Sequence, residues 1–383
     1  MEGWRLTLLQ PGGYPILLNL KILFILNSYH RHYFGGSEYQ ACLIARALAK
    51  MNYQVFYMCL HCKRSRSQEP GITLYTLKRG ILSEKLIGET VLFRKVRKMI
   101  RFIQPDVIYH RNLTPLFFPG LKYCRHHGKK SILHLAHEKD LCKMKWGKYW
   151  LRNFLGNYFR SKIIQEVDRI VAQTRYQDRL LRNRFERRAD LIFPNVHPRP
   201  TEKIVKKPPL KVLWVANLKR NKQPEKFVEL AERMMYTGIH FIMIGRDTSG
   251  QWMVKTRQKM RTLRNLDYLG ELDISVVNRH LSGAHVFVNT SVSEGFPNTF
   301  VQAWMRRVPV VSLQVDPDNI LQREKIGFCS RDLDHVQRNI QRLADDADFR
   351  HAMGCRAQQY AFRHHSLDQI ERITNLITGK VRI

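Results

Sequence analysis

Short apolar runs alternate with amphipathic stretches along most of the chain. Residues 21–27 (KILFILN) form a continuous apolar run, which is typical of a strand buried on both faces of a parallel sheet. A loop with Gly35 and Gly36 follows. Residues 37–50 then repeat apolar side chains at helical spacing, and Ser37 is the expected N-cap of this helix. A buried strand followed by an amphipathic helix is the unit that recurs down the chain.

The same pattern predicts the other elements of the first half. Pro105 and Asp106 break the chain just before one of these strands, as expected at an element boundary. The predicted elements are strands at 55–60, 72–77, 107–110, 131–136, 169–173 and 191–193, and a basic helix at 91–103.

A proline- and lysine-rich stretch at residues 194–209 interrupts the pattern and is the expected linker. The alternation then restarts, and the C-terminal tail reads as helices broken near Asp345 and again near His364. The predicted elements are strands at 211–218, 241–244, 268–269, 285–289 and 309–313, and helices at 224–235, 252–263, 276–281 and 297–306.

These patterns define the expected domains. A loose extension covers residues 1–20, a first Rossmann-like domain covers 21–200, and a second covers 201–364. The C-terminal helix, about residues 365–383, could pack back on the first domain. Because strands and helices alternate, the predicted fold class is α/β, with two doubly wound, Rossmann-like domains facing across a cleft. Such sheets bind ligands beyond the carboxyl ends of their strands, at helix N-termini, so the loops there are expected to line the cleft.

The charge is large and uneven. Lys and Arg total 65 against 32 Asp and Glu, a formal net charge of +33. Residues 1–200 carry 36 basic and 13 acidic side chains, or +23, and residues 201–383 carry 29 and 19, or +10. A strongly basic first half points to a polyanionic partner, namely nucleic acid, an anionic membrane face or a phosphorylated substrate. A generally basic soluble protein is the alternative.

Cysteine usage and hydropathy bear on location. The seven cysteines form no regular framework, and Cys59 and Cys62 have no second pair at zinc spacing. An odd cysteine count without a recognisable secretory signal indicates a reducing cytoplasm. No apolar run reaches the roughly 20 residues of a membrane-spanning helix. We therefore expect a cytoplasmic protein that can sit peripherally on the inner membrane face.

The most informative motif is residues 293–303 (SEGFPNTFVQA), which follow a buried strand and open a helix. Pro297 suits the first helical turn, and the amides of that turn can receive a phosphate. Glu294 precedes the helix and can reach a sugar hydroxyl, while Gln302 lies one to two turns further on. An ordinary strand-loop-helix with a capping acid is the alternative interpretation.

This segment resembles the Glu-x7-Glu motif of glycosyltransferase family 4, the group 1 retaining enzymes of the GT-B fold. The likeness extends over roughly residues 21–380, through Gly35-Gly36-Ser37-Glu38 and residues 212–225 (VLWVANLKRNKQPE). It implies that Glu294 holds the donor sugar and that Lys222 grips the donor diphosphate. Gln302 stands where the second glutamate binds the ribose, and an amide can bind a diol only without charge assistance.

The resemblance implies further donor-binding positions. Asn217 stands where an arginine usually helps to hold the diphosphate, and Lys219 or Arg220 is expected to compensate. A loop that passes close to the diphosphate has no room for a Cβ. The remaining donor-binding positions that the resemblance implies are Gly35, Gly36, Phe296, Pro297, Asn298 and Thr299.

His137, just after the strand at 131–136, matches the histidine near the donor sugar and the reacting centre. His134, His137 and Glu138 have the wrong spacing for a helical metal pair, so no metal is expected. Enzymes of this fold typically work without one. Positive side chains and helix N-termini then stabilise the leaving diphosphate.

A second feature is the stretch 143–162 (KMKWGKYWLRNFLGNYFRSK), in which basic and aromatic residues interleave. Trp146, Trp150 and Phe154 share one helical face, an arrangement that suits an anionic membrane interface. Members of the resembled family often dock through this domain. A packed helix with a basic solvent face is the alternative.

The sequence therefore predicts a hexosyltransferase-type glycosyltransferase. The donor is a UDP- or GDP-sugar, and the hydroxyl acceptor is a lipid-linked or surface-polysaccharide precursor. An epimerase or phosphorylase of the same fold is one alternative. A basic nucleic-acid-binding protein is another, although no such motif appears. A dehydrogenase is disfavoured because the first strand-helix turn lacks Gly-x-Gly-x-x-Gly.

Overall fold

Two parallel sheets, one in each half of the chain, organise the fold. The structure is a computed structural model, and it describes residues 20–29, 35–61, 69–77, 87–142 and 150–379. Every pairing between the strands named below is parallel. The predicted doubly wound α/β class is confirmed. The extension at 1–20 lies almost wholly outside the described residues, as do Cys62 and residues 143–149 of the basic aromatic stretch.

The strands match the apolar runs closely. In chain order they are β1 (Lys21–Ser28), β2 (Gln54–His61), β3 (Ile72–Thr76), β4 (Val107–Arg111), β5 (Lys130–His134), β6 (Arg169–Ala172), β7 (Leu191–Ile192), β8 (Lys211–Val215), β9 (His240–Ile244), β10 (Leu266–Tyr268), β11 (Val286–Asn289), β12 (Val310–Ser312) and β13 (Gly327–Cys329). The first sheet has the order β3-β2-β1-β4-β5-β6-β7, and the second has β10-β9-β8-β11-β12-β13. In each sheet the first strand of the half lies third, between the second and the fourth strand of that half, which is the Rossmann arrangement.

Helices connect the strands. They are α1 (Gly36–Lys50), α2 (Ile87–Ile103), α3 (Phe118–His127), α4 (Trp150–Glu166), α5 (Arg175–Phe185), α6 (Pro224–Arg233), α7 (Val254–Thr262), α8 (Ile274–Gly283), α9 (Asn298–Trp304), α10 (Ile320–Arg323), α11 (Leu333–Asp345), α12 (Ala347–His365) and α13 (Ile370–Thr378). The breaks in the C-terminal tail fall at Asp346 and just after His365, as predicted.

The chain crosses between two units more than once. The first unit contains the chain up to Ala172, then Asp178–Ile192, and the residues from Ile370 onward, which include α13. The second unit contains Gln173–Gln177 and Phe193–Gln369. The short segment Gln173–Gln177 therefore belongs to the second unit although the first unit precedes and follows it in sequence.

Each unit has a core formed by the strands' apolar side chains. In the first, Leu23, Ile25, Ile108 and Leu133 are fully buried in the cluster beneath α2 and α3. In the second, Trp214 is almost fully buried and packs with other apolar side chains of its sheet. Burying a large apolar side chain contributes about 1.5–3 kcal/mol, so the continuous apolar runs are the main source of stability.

Several boundaries differ from the predicted ones. Gly35, not Ser37, is the N-cap of α1, and its backbone is extended. Pro297 caps α9 from outside with an extended ψ of 121°, so the helix begins one residue later than predicted. The sequence pattern missed α3, α5 and β13. The reason is clearest for α5, in which arginine and other polar residues outnumber the few apolar side chains that face the core.

Among the described residues, no helix has the length and apolar character that crossing a membrane requires.

Candidate functional site

A lysine and a glutamate meet at the carboxyl edge of the second sheet. Lys222 ends a short 3-10 helix, Arg220–Lys222, that follows β8, and Glu294 follows β11. Because β8 and β11 are neighbouring parallel strands, their carboxyl ends lie side by side. The Nζ of Lys222 contacts the Oε1 of Glu294, and the two side chains are 21% and 15% exposed. The fold thus brings together two predicted site residues that are 72 positions apart.

Neighbouring polar groups hold this pair in place. The hydroxyl of Thr290 donates to the Lys222 carbonyl oxygen over 2.6 Å, and the indole N–H of Trp214 donates to Thr290 Oγ1 over 2.9 Å. The amide of Val292 donates to the Asn221 carbonyl oxygen over 2.9 Å. The loops after β8 and β11 are therefore tied to each other independently of the ion pair.

Glu294 presents its two oxygens differently. Oε1 receives both the Lys222 ammonium and the Ser291 hydroxyl, the latter over 2.8 Å. In the part of the chain that the structure describes, no donor reaches Oε2. The carboxylate is thus anchored through one oxygen and can accept a ligand hydroxyl through the other. Lys222 supplies the positive charge next to it that an anionic ligand requires.

The residues that follow Glu294 in the motif pack into the second unit. The Phe296 ring is buried and lies 4.9 Å from the His365 ring and 6.3 Å from the Trp304 ring, measured between centroids. Pro297 is buried, Thr299 is half-buried, and the Nε2 of His197 donates to Asn298 Oδ1 over 3.2 Å. In this structure Phe296 and Asn298 therefore contact other parts of the second unit.

Gln302 has a fixed orientation. It is buried on α9, and its Nε2 donates to the Oδ1 of Asn278 on α8 over 2.9 Å. Its backbone carbonyl accepts from Arg306 over 3.1 Å. An amide whose nitrogen is engaged in this way presents its carbonyl oxygen elsewhere, as a carboxylate would.

The loop after β8 carries the other predicted donor-binding residues. Asn217 is half-buried there, Lys219 is exposed, and the guanidinium carbon of Arg220 lies 5.2 Å from the centroid of the Trp252 ring. This loop touches the loop after β9 closely, since a Cβ on Gly245 would lie 1.7 Å from the Ala216 carbonyl oxygen. Gly245 has a φ of 151°, which a glycine adopts readily.

In the first unit, Gly35 and Gly36 start α1 at the carboxyl edge of its sheet. A Cβ on Gly35 would lie 2.1 Å from Glu38 Oε2, because the Glu38 side chain folds back over the glycine. The Ser37 hydroxyl donates to Glu38 Oε2 over 2.6 Å and accepts from Asn112 Nδ2 over 3.1 Å. The glycine turn is thus linked to the end of β4.

His137 lies in the turn after β5 and is half-buried. The backbone amides of Ala136 and His137 both donate to Asp140 Oδ2, over 3.3 Å and 3.1 Å. Burial raises the pKa of the Asp140 carboxyl. This carboxyl shapes the turn that presents the histidine.

His134 lies within β5, as predicted. Its ring is buried and contacts the Tyr109 hydroxyl and the Arg111 guanidinium. Among the described residues, no three His, Cys, Asp or Glu side chains are grouped so that they could hold a metal ion.

Sequence patterns did not identify Ser291, Asn278 or Arg111. Ser291 and Asn278 act on Glu294 and Gln302 through contacts that no sequence spacing records. Arg111 is buried at the end of β4, and burial lowers the pKa of its guanidinium. A charged residue directly after an apolar strand was the available signal for it.

The fold and these sites define a two-unit, doubly wound α/β protein of the GT-B type. Residues 34–196 match the sequence model described as Glycosyltransferase Family 4, and residues 209–346 match the one described as Glycosyl transferases group 1. The chain therefore belongs to the group 1 glycosyltransferases of family 4, and it is a glycosyltransferase. Its resemblance to this family is confirmed.

Solved structures share the fold at low sequence identity. Sucrose-phosphate synthase from Thermosynechococcus elongatus is 14% identical, with 94% of this chain and 98% of that chain covered and a TM-score of 0.75. The Anabaena protein HepE in complex with UDP and glucose is 16% identical, with 94% and 100% covered and a TM-score of 0.74. WaaG, a glycosyltransferase involved in lipopolysaccharide biosynthesis, is 15% identical, with 94% and 100% covered and a TM-score of 0.71. No curated protein sequence matches the chain.

Proposed function

We propose that this glycosyltransferase moves a hexose-type unit from a UDP- or GDP-sugar to a hydroxyl acceptor, with retention of anomeric configuration. The observation that carries the proposal is the pairing of Lys222 with Glu294 at the carboxyl edge of the second sheet. A cation for a diphosphate and a carboxylate for sugar hydroxyls stand side by side on fixed loops. A nucleoside diphosphate sugar carries both an anionic diphosphate and sugar hydroxyls, so it can engage both groups.

The donor would bind to the second unit through three side chains. Lys222 would bind the diphosphate, and a charge-assisted hydrogen bond of this kind contributes about 1.5–3 kcal/mol. Glu294 would accept hydroxyl hydrogens of the sugar at Oε2. Gln302 would accept from the ribose through the carbonyl oxygen that its contact with Asn278 orients.

Around these three residues, Asn217 stands where the family has an arginine, and a neutral amide would bind phosphate more weakly. Lys219 is exposed on the same loop and would supply the missing charge.

The chemical step would be a same-face substitution. The bond between the anomeric carbon and the diphosphate oxygen breaks, and a bond from the acceptor oxygen to that carbon forms on the same face. The acceptor proton passes to the departing phosphate oxygen, so no enzyme carboxylate acts as a nucleophile. Lys222 stabilises the charge that develops on the leaving diphosphate. No metal is required by this scheme.

His137 would assist from the first unit, near the sugar and the reacting centre. Its turn is built around Asp140, whose Oδ2 accepts from the His137 backbone amide. Gly35 and Gly36 would let the backbone approach the diphosphate. In the structure the Glu38 carboxylate covers Gly35, so this side chain would rotate away when an anion binds.

The acceptor would be lipid-linked or close to a membrane on the cytoplasmic face. Helices α2 and α4 are in contact through the Phe93 and Phe159 rings. They expose apolar rings beside basic side chains, an arrangement that suits the boundary of an anionic bilayer. We call this surface the basic aromatic face; its exposed residues are Phe154, Tyr158, Arg97, Lys98 and Arg101. The solved relative WaaG, which is involved in lipopolysaccharide biosynthesis, supports an acceptor of this class.

A thermal-shift panel of UDP-, GDP-, ADP- and TDP-sugars tests the donor. We expect the sugars of one nucleotide to raise the melting temperature of the wild type. The same sugars should not raise the melting temperature of the Lys222→Ala variant. The HepE complex with UDP and glucose supports UDP as the first ligand to try. If no nucleoside diphosphate sugar stabilises the wild type, the proposed function is wrong.

A further inference from the structure

Three residues of the second unit close a ring of hydrogen bonds around the turn that follows Glu294. The backbone amide of Phe296 donates to Gln173 Oε1 over 3.2 Å. The Gln173 Nε2 donates to Asn195 Oδ1 over 2.7 Å. The Asn195 Nδ2 in turn donates to the Phe296 carbonyl oxygen over 2.6 Å. The backbone N–H and the backbone carbonyl of Phe296 are thus each hydrogen-bonded to a side chain, and these two side chains are hydrogen-bonded to each other.

The backbone fixes the orientation of both amides in this ring. A backbone N–H can only donate, so Gln173 must present its oxygen to Phe296. A backbone carbonyl can only accept, so Asn195 must present its nitrogen. The two groups left over, the Gln173 nitrogen and the Asn195 oxygen, are a matching donor and acceptor. Reversing either amide would break two bonds of the ring at once.

The ring is buried. Gln173 and Asn195 are each 3% exposed, and Phe296 is 5% exposed. A buried polar group that loses its partner is costly, because water cannot replace the lost bond. The ring therefore has one stable arrangement, and the turn at Phe296 is confined to it.

Further bonds fix the two amide-bearing residues themselves. The Gln173 backbone amide donates to Gln177 Oε1 over 2.7 Å. The Nδ1 of His365, at the end of α12, donates to the Asn195 carbonyl oxygen over 2.7 Å. We call this ring the clamp; it joins the turn to two short segments, 101 and 123 positions away in sequence, each of which has a further hydrogen bond of its own.

We propose that Gln173 and Asn195 are positioning residues for the sugar-binding carboxylate. Glu294 stands two residues before Phe296, and α9 with Gln302 begins two residues after it. Because the ring of hydrogen bonds holds both the backbone N–H and the carbonyl of Phe296, it determines the orientation of the nearby Glu294 side chain and the position of its Oε2. Neither amide touches the substrate. The inference rests on the proposed function only in the role it gives to Glu294.

The ring should matter more for turnover than for nucleotide binding. Lys222 lies on a different loop, and Thr290 holds the backbone of that loop without involving Phe296, so the diphosphate contact should change less than the position of Glu294. A displaced Glu294 would leave the sugar misaligned, and a shift of about 1 Å can cost about 100-fold in rate. We therefore expect a selective loss in kcat.

The test compares two isosteric changes. Asn195→Asp replaces the donor at the Phe296 carbonyl with an acceptor. The matched control is Asn265→Asp, since the Asn265 Nδ2 also donates to a backbone carbonyl, that of Ala231, over 2.8 Å, and is buried in the same unit. Both variants should lose thermal stability. Only Asn195→Asp should lower kcat by about 10- to 100-fold while the UDP dissociation constant stays within about threefold.

Hydrogen exchange of the full chain reports on the clamp without any substrate. The amides of residues 292–300 should exchange faster in Asn195→Asp than in the wild type, and at the wild-type rate in Asn265→Asp. If Asn195→Asp does not fold, Gln173→Glu carries the same comparison, because it removes the donor to Asn195 Oδ1.

Wild-type exchange across residues 292–300 in the clamp variants, or equal losses of kcat in the clamp and control variants, would overturn the inference. A wild type that binds no nucleoside diphosphate would refute the proposed function alone, since the exchange comparison still decides whether the clamp exists.

Discussion

The hydroxyl of Ser291 donates to the same oxygen of Glu294 that contacts the Lys222 ammonium, over 2.8 Å. Ser291 is itself held, because its backbone amide donates to Asn289 Oδ1 over 3.1 Å and its Oγ accepts from Asn289 Nδ2 over 3.2 Å. The residues at the end of β11 therefore hold the Glu294 carboxylate through its Oε1. The second oxygen is left to face the ligand.

Replacing Glu294 should abolish transfer while the fold survives. Glu294→Ala removes the sugar-binding carboxylate, and we expect kcat to fall more than about 100-fold, as when a preorganised transition-state contact is lost. Steady-state kinetics and circular dichroism measure the two quantities. Near-normal turnover would show that the motif has been assigned wrongly.

Ser291→Ala is expected to have a smaller effect of the same kind. It removes one hydrogen bond to a charged group and leaves the carboxylate in place, so a loss of about 1.5–3 kcal/mol is the upper range. We expect kcat to fall about tenfold, with little change in UDP affinity. Ser293→Ala, two residues along, is the control and should behave as the wild type.

Lys222→Ala should weaken nucleoside diphosphate binding more than nucleoside binding. Losing a charged donor to phosphate costs about 1.5–3 kcal/mol, whereas a nucleoside makes no such contact. Isothermal titration with UDP and uridine, or with the GDP pair, measures the difference. Lys255→Ala, at an exposed lysine of α7 to which the proposed function gives no role in donor binding, is the control. Equal losses for both ligands would place Lys222 away from the phosphates.

The buried histidines should make the second unit sensitive to acid. Burial lowers the pKa of His365 to about 4 and that of His197 to about 3. An unfolded histidine has a pKa of about 6.5, so the unfolded chain takes up protons first as the pH falls. The stability that the neutral rings contribute is complete above pH about 6.5 and is lost as the pH falls towards about 4.

A single variant isolates this effect. His365→Gln can still donate to the Asn195 carbonyl but cannot be protonated. Between pH 6 and 4.5 its free energy of unfolding should fall less steeply than that of the wild type, by up to about 1.4 kcal/mol per pH unit. Urea unfolding at several pH values measures the slopes. His126→Gln, at an exposed site, should leave the slope unchanged.

Membrane binding should depend on the basic aromatic face. Each basic residue near an anionic surface contributes about 1 kcal/mol, so changing Arg97, Lys98 and Arg101 together to Glu should release the protein from anionic vesicles. Co-sedimentation with anionic and zwitterionic vesicles at low and high salt measures this. High salt should also release the wild type, because it screens exposed charges.

The control for that experiment carries the same change of charge in the second unit. Lys255, Arg261 and Arg264 are exposed there, and their replacement by Glu should leave vesicle binding largely intact. Equal binding of the wild type to both vesicle types, or equal losses in both variants, would mean that the charge is a general property of the surface.

The sequence predicted what local patterns determine. The apolar run of β1 indicates a buried parallel strand, because burial on both faces requires apolar side chains at every position. Glu294 could be placed between a strand and a helix because the motif follows one such apolar run and precedes a helical pattern. The short strand β13 escaped prediction, since three residues that begin with glycine have too little pattern to recognise.

Contacts between segments that are distant in the chain could not be predicted from the sequence. Gln173 and Asn195 belong to no motif, and only the crossing of the chain between units brings them to Phe296. The contact of Gln302 with Asn278 depends likewise on how α8 and α9 pack. Residues whose function lies in holding another residue have no sequence spacing of their own, so a structure is needed to find them.

According to the proposed function, the Lys222–Glu294 site cleaves a nucleoside diphosphate sugar with retention. Proton NMR of UDP-glucose and of GDP-mannose incubated with the enzyme, with water as the acceptor, tests it directly. We predict that one of these α-linked donors releases its nucleoside diphosphate and gives the α anomer of the sugar first, before mutarotation, and that Glu294→Ala stops the reaction. A β anomer formed first, or equal cleavage by Glu294→Ala, would contradict the account.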